Sequence, residues 1–265
     1  ASTMNVIYWA IDQLNFLPYL LSMDSYYSML LPTNDAMLWY IDPGSYGKET
    51  TVEDATVEAP EILEFYYDPT KSSAERVQAR RYACTIDEQG KIIKGNRLQA
   101  SVSRNVINDR LRKLMDQLII VGNVEDGHEY YKSKGGTMIR VTRADDGRLA
   151  FIGGYQIEHG NILTPINDNE IFTKKNGKSY QINENIIMSA QNTVYLTLKK
   201  HDEFTEFLNL LDHDGAELLS TKLNNKYNAG MTSQGSKNLR LLDNYNYTVY
   251  VPTNESIRKM IDDGL

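Results

Sequence analysis

The chain has a single cysteine, Cys84, among 265 residues, which excludes an internal disulfide framework. A lone thiol does not fix the compartment, because many proteins of bacterial cell surfaces carry no disulfides. Histidine is scarce as well. His128, His159, His201 and His213 fall at spacings that make no His-Glu-x-x-His helix, and without cysteine pairs a zinc site has little support. No apolar run approaches the roughly 20 residues of a membrane span. The first five residues lack the basic and apolar regions of a signal peptide, so the start reads as processed or trimmed. Excess positive charge is also missing: 28 Lys and Arg stand against 35 Asp and Glu, a net charge of −7. That balance argues against a nucleic-acid surface, which binds by neutralising phosphates.

Catalytic patterns are missing too. There is no Gly-x-Ser-x-Gly elbow for a serine nucleophile. The run Lys132 to Gly136 lacks the Gly-x-x-x-x-Gly-Lys spacing that cradles phosphate and reads as a turn. His201-Asp202 and His213-Asp214 flank a helical stretch and read as solvated helix ends. The carboxylate pairs Asp212 with Asp214 and Asp168 with Glu170 would serve as acid and base only in a shielded cleft, and their polar neighbours place them on exposed surface. The expectation is a protein that is not an enzyme, with no cofactor and no bound metal.

What is present is a repeat of domain size. Residues Tyr27 to Asp42 align without a gap on Tyr247 to Asp262, with Tyr, Pro, Thr, Asn, Ile and Asp identical. Each copy reads as an apolar strand, Met29 to Leu31 or Val249 to Val251, stopped by Pro32 or Pro252, which have no N–H for a ladder. Thr33 or Thr253 then stands where a hydroxyl caps a helix, with Asp35 or Glu255 beside the positive end of the dipole. Downstream, Asn176-Gly177 suits a tight type I′ hairpin, and Tyr180 and Ile182 share one face of the returning strand.

These stretches resemble the two signatures of fasciclin domains. The first is carried by Pro32-Thr33-Asn34 and Pro252-Thr253-Asn254, the second by Asn176, Gly177 and Tyr180. Residues 109–126 resemble the family's central helix and strand, while Tyr130 to Gly136 and Gly153 to Ile157 resemble variants in its bacterial surface members. Asn183 to Tyr195 resembles the closing segment, where a short strand hands over to the next repeat. The resemblance implies an α+β fold, a wedge-like sandwich of short antiparallel strands with helices along one edge. It implies one complete domain over residues 1–197, with an insertion at about 43–104, and the incomplete first part of a second over 198–265, so that the chain reads as part of a longer protein. The implied role is cell-surface adhesion and ligand binding without catalysis. The alternative is an accessory lipoprotein that captures peptide or glycan for an outer-membrane nutrient-uptake complex. Implied partners are another protein, a surface glycan or such a transporter complex. The implied location is the bacterial cell surface or outer membrane, tethered by a lipid anchor outside this sequence.

Periodicity supplies the elements. Ile7, Ile11, Leu14 and Leu17 follow helical spacing, which Pro18 breaks or restarts. The insertion holds an acidic β-branched stretch from Glu49 to Glu64, an aromatic strand-like run Phe65 to Tyr67, a basic helix-like run Ser73 to Arg81 and a turn near Asp87 to Gly95, read as an added hairpin and helix. Ile107, Leu111, Leu114 and Leu118 form a helical stripe over 105–118. Strands are expected at Ile119 to Val124, Thr137 to Thr142, Leu149 to Ile152, Tyr155 to Glu158, Ile171 to Lys175 and Ser179 to Ile182, with a turn at Asp145 to Gly147. Phe204, Phe207, Leu208 and Leu211 mark a helix opening the second copy, followed by a long polar link from Asp212 to Tyr245. Tyrosine outnumbers phenylalanine 18 to 6. Most tyrosines suit half-buried strand faces, but the pairs Tyr26-Tyr27, Tyr66-Tyr67 and Tyr130-Tyr131 put one ring on either side of a strand. Tyr27, Tyr66, Tyr67, Tyr130 and Tyr131 are therefore a candidate platform for a saccharide or peptide.

Overall fold

The computed structural model describes residues 3–22, 26–46, 48–190, 192, 194–211, 219–220, 238–239 and 248–264. The chain is α+β and divides into two compact units, Ala1–Pro43 with Thr50–Ala190 and Gly44–Glu49 with Gln191–Leu265.

The larger unit begins with α1 (Asn5–Gln13) and α2 (Leu17–Leu20), the second starting at Pro18, a residue tolerated in a first helical turn because its missing N–H is not needed there. Strand β1 (Tyr27–Pro32) is buried along its whole length. One 3₁₀ turn, Ala36–Trp39, leads into β2 (Tyr40–Ile41). Then come β3 (Glu49–Val52), β4 (Ala55–Glu58), β5 (Glu61–Tyr67), β6 (Val77–Ile86), β7 (Ile92–Gln99) and α3 (Arg104–Leu118). The unit ends with β8 (Ile119–Val121), β9 (Tyr130–Lys132), β10 (Met138–Arg143), β11 (Leu149–Ile152), α4 (Gly154–Glu158), β12 (Thr164–Lys174) and β13 (Gly177–Ile182).

Seven strands form one sheet in the order β8-β1-β13-β12-β11-β10-β9. β1 and β13 run parallel, and the other pairs are antiparallel. The sheet curls until its edges meet: Ile120 bridges Ser133, and the Lys134 N–H donates to Ile119 O at 2.7 Å. Leu30, Tyr180, Ile182 and Phe151 are wholly buried in it, and Ile107, Leu111, Leu114 and Leu118 of α3 are equally buried. The helical stripe at 105–118 thus has the role its spacing indicates. The turn at Asp145 to Gly147 also forms, with Gly147 at φ +86 and the Ala144 N–H donating to Arg148 O at 2.9 Å.

The insertion is more than a decoration. It supplies β5, β6 and β7 of a four-stranded antiparallel sheet ordered β2-β5-β6-β7, and β3 and β4 form an exposed hairpin. Ile62, Leu63, Phe65, Val77 and Ala79 are at most 1% exposed, so this sheet has a core face of its own. The expected helix at Ser73 to Arg81 is instead one 3₁₀ turn, Ser73–Glu75, running into β6. Ala, Glu, Gln and Arg favour a helix there, but ladder pairing from Tyr67↔Val77 to Glu61↔Ala83 overrides that preference.

Three further expectations are corrected. Tyr155 to Glu158 lies in the helix α4, with Ile157 N–H donating to Gly153 O at 3.0 Å and His159 N–H to Tyr155 O at 3.2 Å, and a Cβ at Gly154 would sit 2.5 Å from Ala190 N. Asn176-Gly177 is not the centre of the β12–β13 turn: Lys174 pairs with Gly177, which leaves Lys175 and Asn176 as the loop. Neither Asn176 nor Gly177 has positive φ. Gly177 is needed for another reason, since a Cβ there would lie 2.3 Å from Tyr27 O. The third concerns the closing segment, where Val194 begins a helix rather than ending a strand.

The smaller unit contains α5 (Val194–Lys199), a 3₁₀ turn Asp202–Phe204, α6 (Thr205–Leu211), the paired β14 (Leu219–Ser220) and β15 (Asn238–Leu239), and α7 (Asn254–Asp262). Residues 248–253 form no strand, so the strand expected at Val249 to Val251 is not formed there. Asp212, His213 and Asp214, the start of the second copy at Tyr247, most of the polar link 212–245 and the side chains of Asp168 and Glu170 lie outside the described residues.

A buried ion network joins the four-stranded sheet to α3. The Asp42 carboxylate, 1% exposed, accepts from Arg110 Nε at 2.5 Å and from Arg81 at 2.7 Å, and Arg81 also donates to Glu61 at 2.7 Å. Burial of Arg110 opposes its charge, but Asp42 and Asp109 outweigh this and raise its pKa. Asp42→Ala removes the acceptor shared by Arg81 and Arg110, leaving them only Glu61 and the half-exposed Asp109 among these carboxylates, and should destabilise this unit by up to about 3–5 kcal/mol. The readout is the urea midpoint followed by fluorescence, since both tryptophans, Trp9 and Trp39, lie in this unit. A loss below about 1 kcal/mol would assign the network no structural role.

Candidate functional site

The Pro-Thr-Asn triplets make the same two contacts in each unit. The Thr33 hydroxyl accepts from Ala36 N–H at 3.4 Å, and the Thr253 hydroxyl accepts from Ser256 N–H at 3.3 Å. The Asn34 side-chain oxygen accepts from Val6 N–H at 3.2 Å, in the first turn of α1. The Asn254 oxygen accepts from Glu206 N–H at 2.9 Å, in the first turn of α6, while its amide donates to Asp202 O. Each asparagine thereby satisfies an orphan N–H of an earlier helix. Pro32 ends β1, whereas Pro252 follows no strand. Asn176 also works as a clamp, its amide donating to Leu20 O and Ser22 O at 2.9 and 2.6 Å.

The five platform tyrosines lie on three strands of two sheets, β1, β5 and β9. Tyr27 is buried, with its hydroxyl donating to Leu20 O at 3.0 Å. Tyr66 and Tyr67 are half-buried: Arg80 covers the Tyr66 ring at 4.1 Å, and Arg76 donates to the Tyr67 hydroxyl. Tyr131 is buried, its hydroxyl donating to Asp126, which Tyr131 and His128 hold at a pKa of about 2. Tyr130 is 51% exposed. Of the histidines, His201 is an exposed partner of Glu203 at 3.4 Å, and His159 stacks on Tyr155 at 4.4 Å between centroids. Among the described residues no group of three or more His, Cys, Asp or Glu could hold a metal ion, and no helix is long and apolar enough to cross a membrane.

The sequence reading missed a cavity of ≈ 370 Å³ in the larger unit. Its walls come from the end of the 3₁₀ turn (Trp39), the β6–β7 connection (Gln89, Gly90, Lys91, Ile92), α4 and the residues after it (Tyr155, Gln156, Ile162), and the segment following β13 (Glu184, Asn185, Ile186, Met188). Each wall is fixed. The Asp87 carboxylate accepts from Gln89 and Lys91 N–H at 3.0 and 2.8 Å, which shapes the turn. The buried Tyr155 hydroxyl donates to Gly90 O at 2.9 Å. Burial, followed by the nearby Cys84 and Asp87, raises the Tyr155 pKa, so it remains a neutral donor. Gln156, 1% exposed, donates to Ile186 O at 2.6 Å and leaves its own oxygen without a partner. The one sequence signal for this site was Gly90, at φ +75.

Gly90 meets two demands, because a Cβ there would also lie 2.5 Å from His159 Cβ and from Ile162 Cδ1. Left-handed strain and overpacking together should make Gly90→Ala cost about 2–4 kcal/mol, read as a lower melting temperature; an unchanged value would contradict this packing.

Cys84 is not a nucleophile in this fold. It is 5% exposed and donates to Pro60 O at 3.3 Å, and burial, with Glu61 second, pushes its thiol up to about 12. Native protein at pH 8 should therefore resist a thiol-reactive chromogenic disulfide and react fully once denatured. Because the folded pKa is raised, the thiol's contribution to stability is fully present below the unfolded value of about 8.5. It is lost as pH rises through about 12. Alkaline unfolding should accordingly be less steep in Cys84→Ser.

No protein-family model matches the chain, and no curated protein matches it significantly.

Proposed function

We propose that the chain is a fasciclin-type surface module that binds a protein or glycan partner without catalysing a reaction. The observation that carries this reading is the repeated Thr and Asn clamp, in which one Pro-Thr-Asn triplet caps two segments in each unit. A chance strand-to-helix turn would reuse the triplet but has no reason to reuse the long-range asparagine bond to an earlier helix. In this reading the larger unit is the fasciclin wedge, and the protein is exported in a bacterium and tethered by a lipid outside this sequence. The cavity beside Trp39 favours a second reading, an accessory lipoprotein that captures peptide or glycan for an outer-membrane uptake complex.

Cross-linking of the intact protein in native membranes separates the two. Recovery of a transporter favours capture, and recovery of a matrix or neighbouring-cell component favours adhesion. Turnover of ester, peptide or glycoside substrates would overturn both, as would one stoichiometric zinc per chain. The clamp is tested through stability: Thr33→Ala and Asn34→Ala should each cost about 1 kcal/mol in the unfolding of the larger unit, and two neutral results would remove the support that the repeat gives.

A further inference from the structure

We propose that the ≈ 370 Å³ cavity beside Trp39 receives an apolar or aromatic side chain of a peptide, with the insertion building one wall of the ligand site. This rests on the surface-binding reading and narrows its ligand class. The volume falls within the range of small-molecule sites and suits one large side chain rather than a folded surface.

The lining argues against a saccharide. Sugar hydroxyls need a dense set of polar partners around an open aromatic face, because unpaired hydroxyls are costly to bury. Here Ile92, Ile162, Ile186 and Met188 supply much of the wall, and Lys94 sits over the Trp39 ring at 4.6 Å. The polar lining instead suits a main chain, which presents N–H and C=O groups in alternation. Gln89 and Asn185 are amides able to pair with both, and Lys91 and Glu184 bring charges of opposite sign. The site is also pre-organised: the Asp87 turn, the Tyr155 to Gly90 bond and the close packing at Gly90 hold the wall in place without a ligand.

The test uses the intact chain with methyl-labelled methionine, the Met188 signal being assigned through Met188→Leu, and two probes, acetyl-Gly-Phe-Gly-amide and maltotriose. The tripeptide should shift the Met188 methyl saturably at millimolar concentration, and maltotriose should leave it unmoved. Two filling variants keep the test independent of folding: Gln89→Trp at an exposed turn position whose backbone N–H alone bonds Asp87, and Ile92→Trp at a half-exposed strand position where an aromatic is well tolerated. Each should weaken the tripeptide by roughly tenfold or more with the melting temperature kept. A Met188 shift produced by maltotriose instead would overturn the peptide class while leaving surface binding intact. No shift with either probe up to about 10 mM, or tripeptide binding undiminished in both filling variants, would overturn the cavity as a site. Capture of the membrane partner that persists in both variants would do the same, with the surface reading left standing.

Discussion

The carboxylate of Asp42 is the point on which the larger unit depends. It ends β2, and its charge is shared by Arg110 from α3 and Arg81 from β6, while its N–H donates to Glu61 O on β5 at 2.8 Å. Four elements thus meet at one residue. Burying ions costs several kcal/mol each, and attraction offsets this only when geometry and additional hydrogen bonds are good. The network therefore contributes little net stability over an apolar substitute. Its effect is on register, because β2 is two residues long and has little ladder of its own to fix which residues of β5 it meets.

The same constraint explains why the two copies of the repeat diverge after their shared triplet. In the second, residues Asn254–Asp262 continue as an α-helix with Ile257 buried, stabilised by Arg258 on Glu206 at 2.6 Å and Lys259 on Asp263 at 2.6 Å. In the first, Met37 is buried at the position equivalent to Ile257, but the helix stops after one 3₁₀ turn and Tyr40 and Ile41 pair with Leu63 and Ile62. Trp39 and Tyr40 are weaker helix formers than Lys259 and Met260 at the equivalent positions, and Pro43 prevents continuation. The presence of β5 decides the outcome. Asp42 consequently turns into the core, whereas its counterpart Asp262 remains exposed.

Much of this was legible in the sequence where a single local rule operates. The α3 stripe, the Pro18 restart, the Asp145 to Gly147 turn and the buried Tyr180 and Ile182 face each follow from spacing or turn chemistry alone. Legibility failed where tertiary contacts set the answer. Val77 and Ala79 alternate as a strand should, yet the alanine, glutamine and arginine around them carry helix propensity, and only pairing with β5 settles the choice. Gly177 looked like a turn residue because Asn-Gly usually is one, but the glycine is there to let β1 approach. The cavity was the least visible feature, since its walls come from four separated segments and no motif links them.

The position of that cavity has a physical reason. Its turn wall, Gln89 to Ile92, belongs to the insertion, and the turn is held against α4 through Tyr155 and through a glycine that tolerates both positive φ and close packing. The opposite demand, close approach of the segment after β13, is met at Gly153 and Gly154, where a Cβ would come within 2.8 and 2.5 Å of that segment. Glycines on both sides of α4 bring the walls near enough to enclose a space, and buried hydrogen bonds keep them from collapsing into it. A binding site fixed in this way loses little conformational freedom when it is filled, because the ordering cost was met in folding. Small changes at Gly90 or Gly153 should therefore act on the shape of the site and on stability together, which ties the ligand site to the packing of α4 against the β6–β7 turn and the segment after β13.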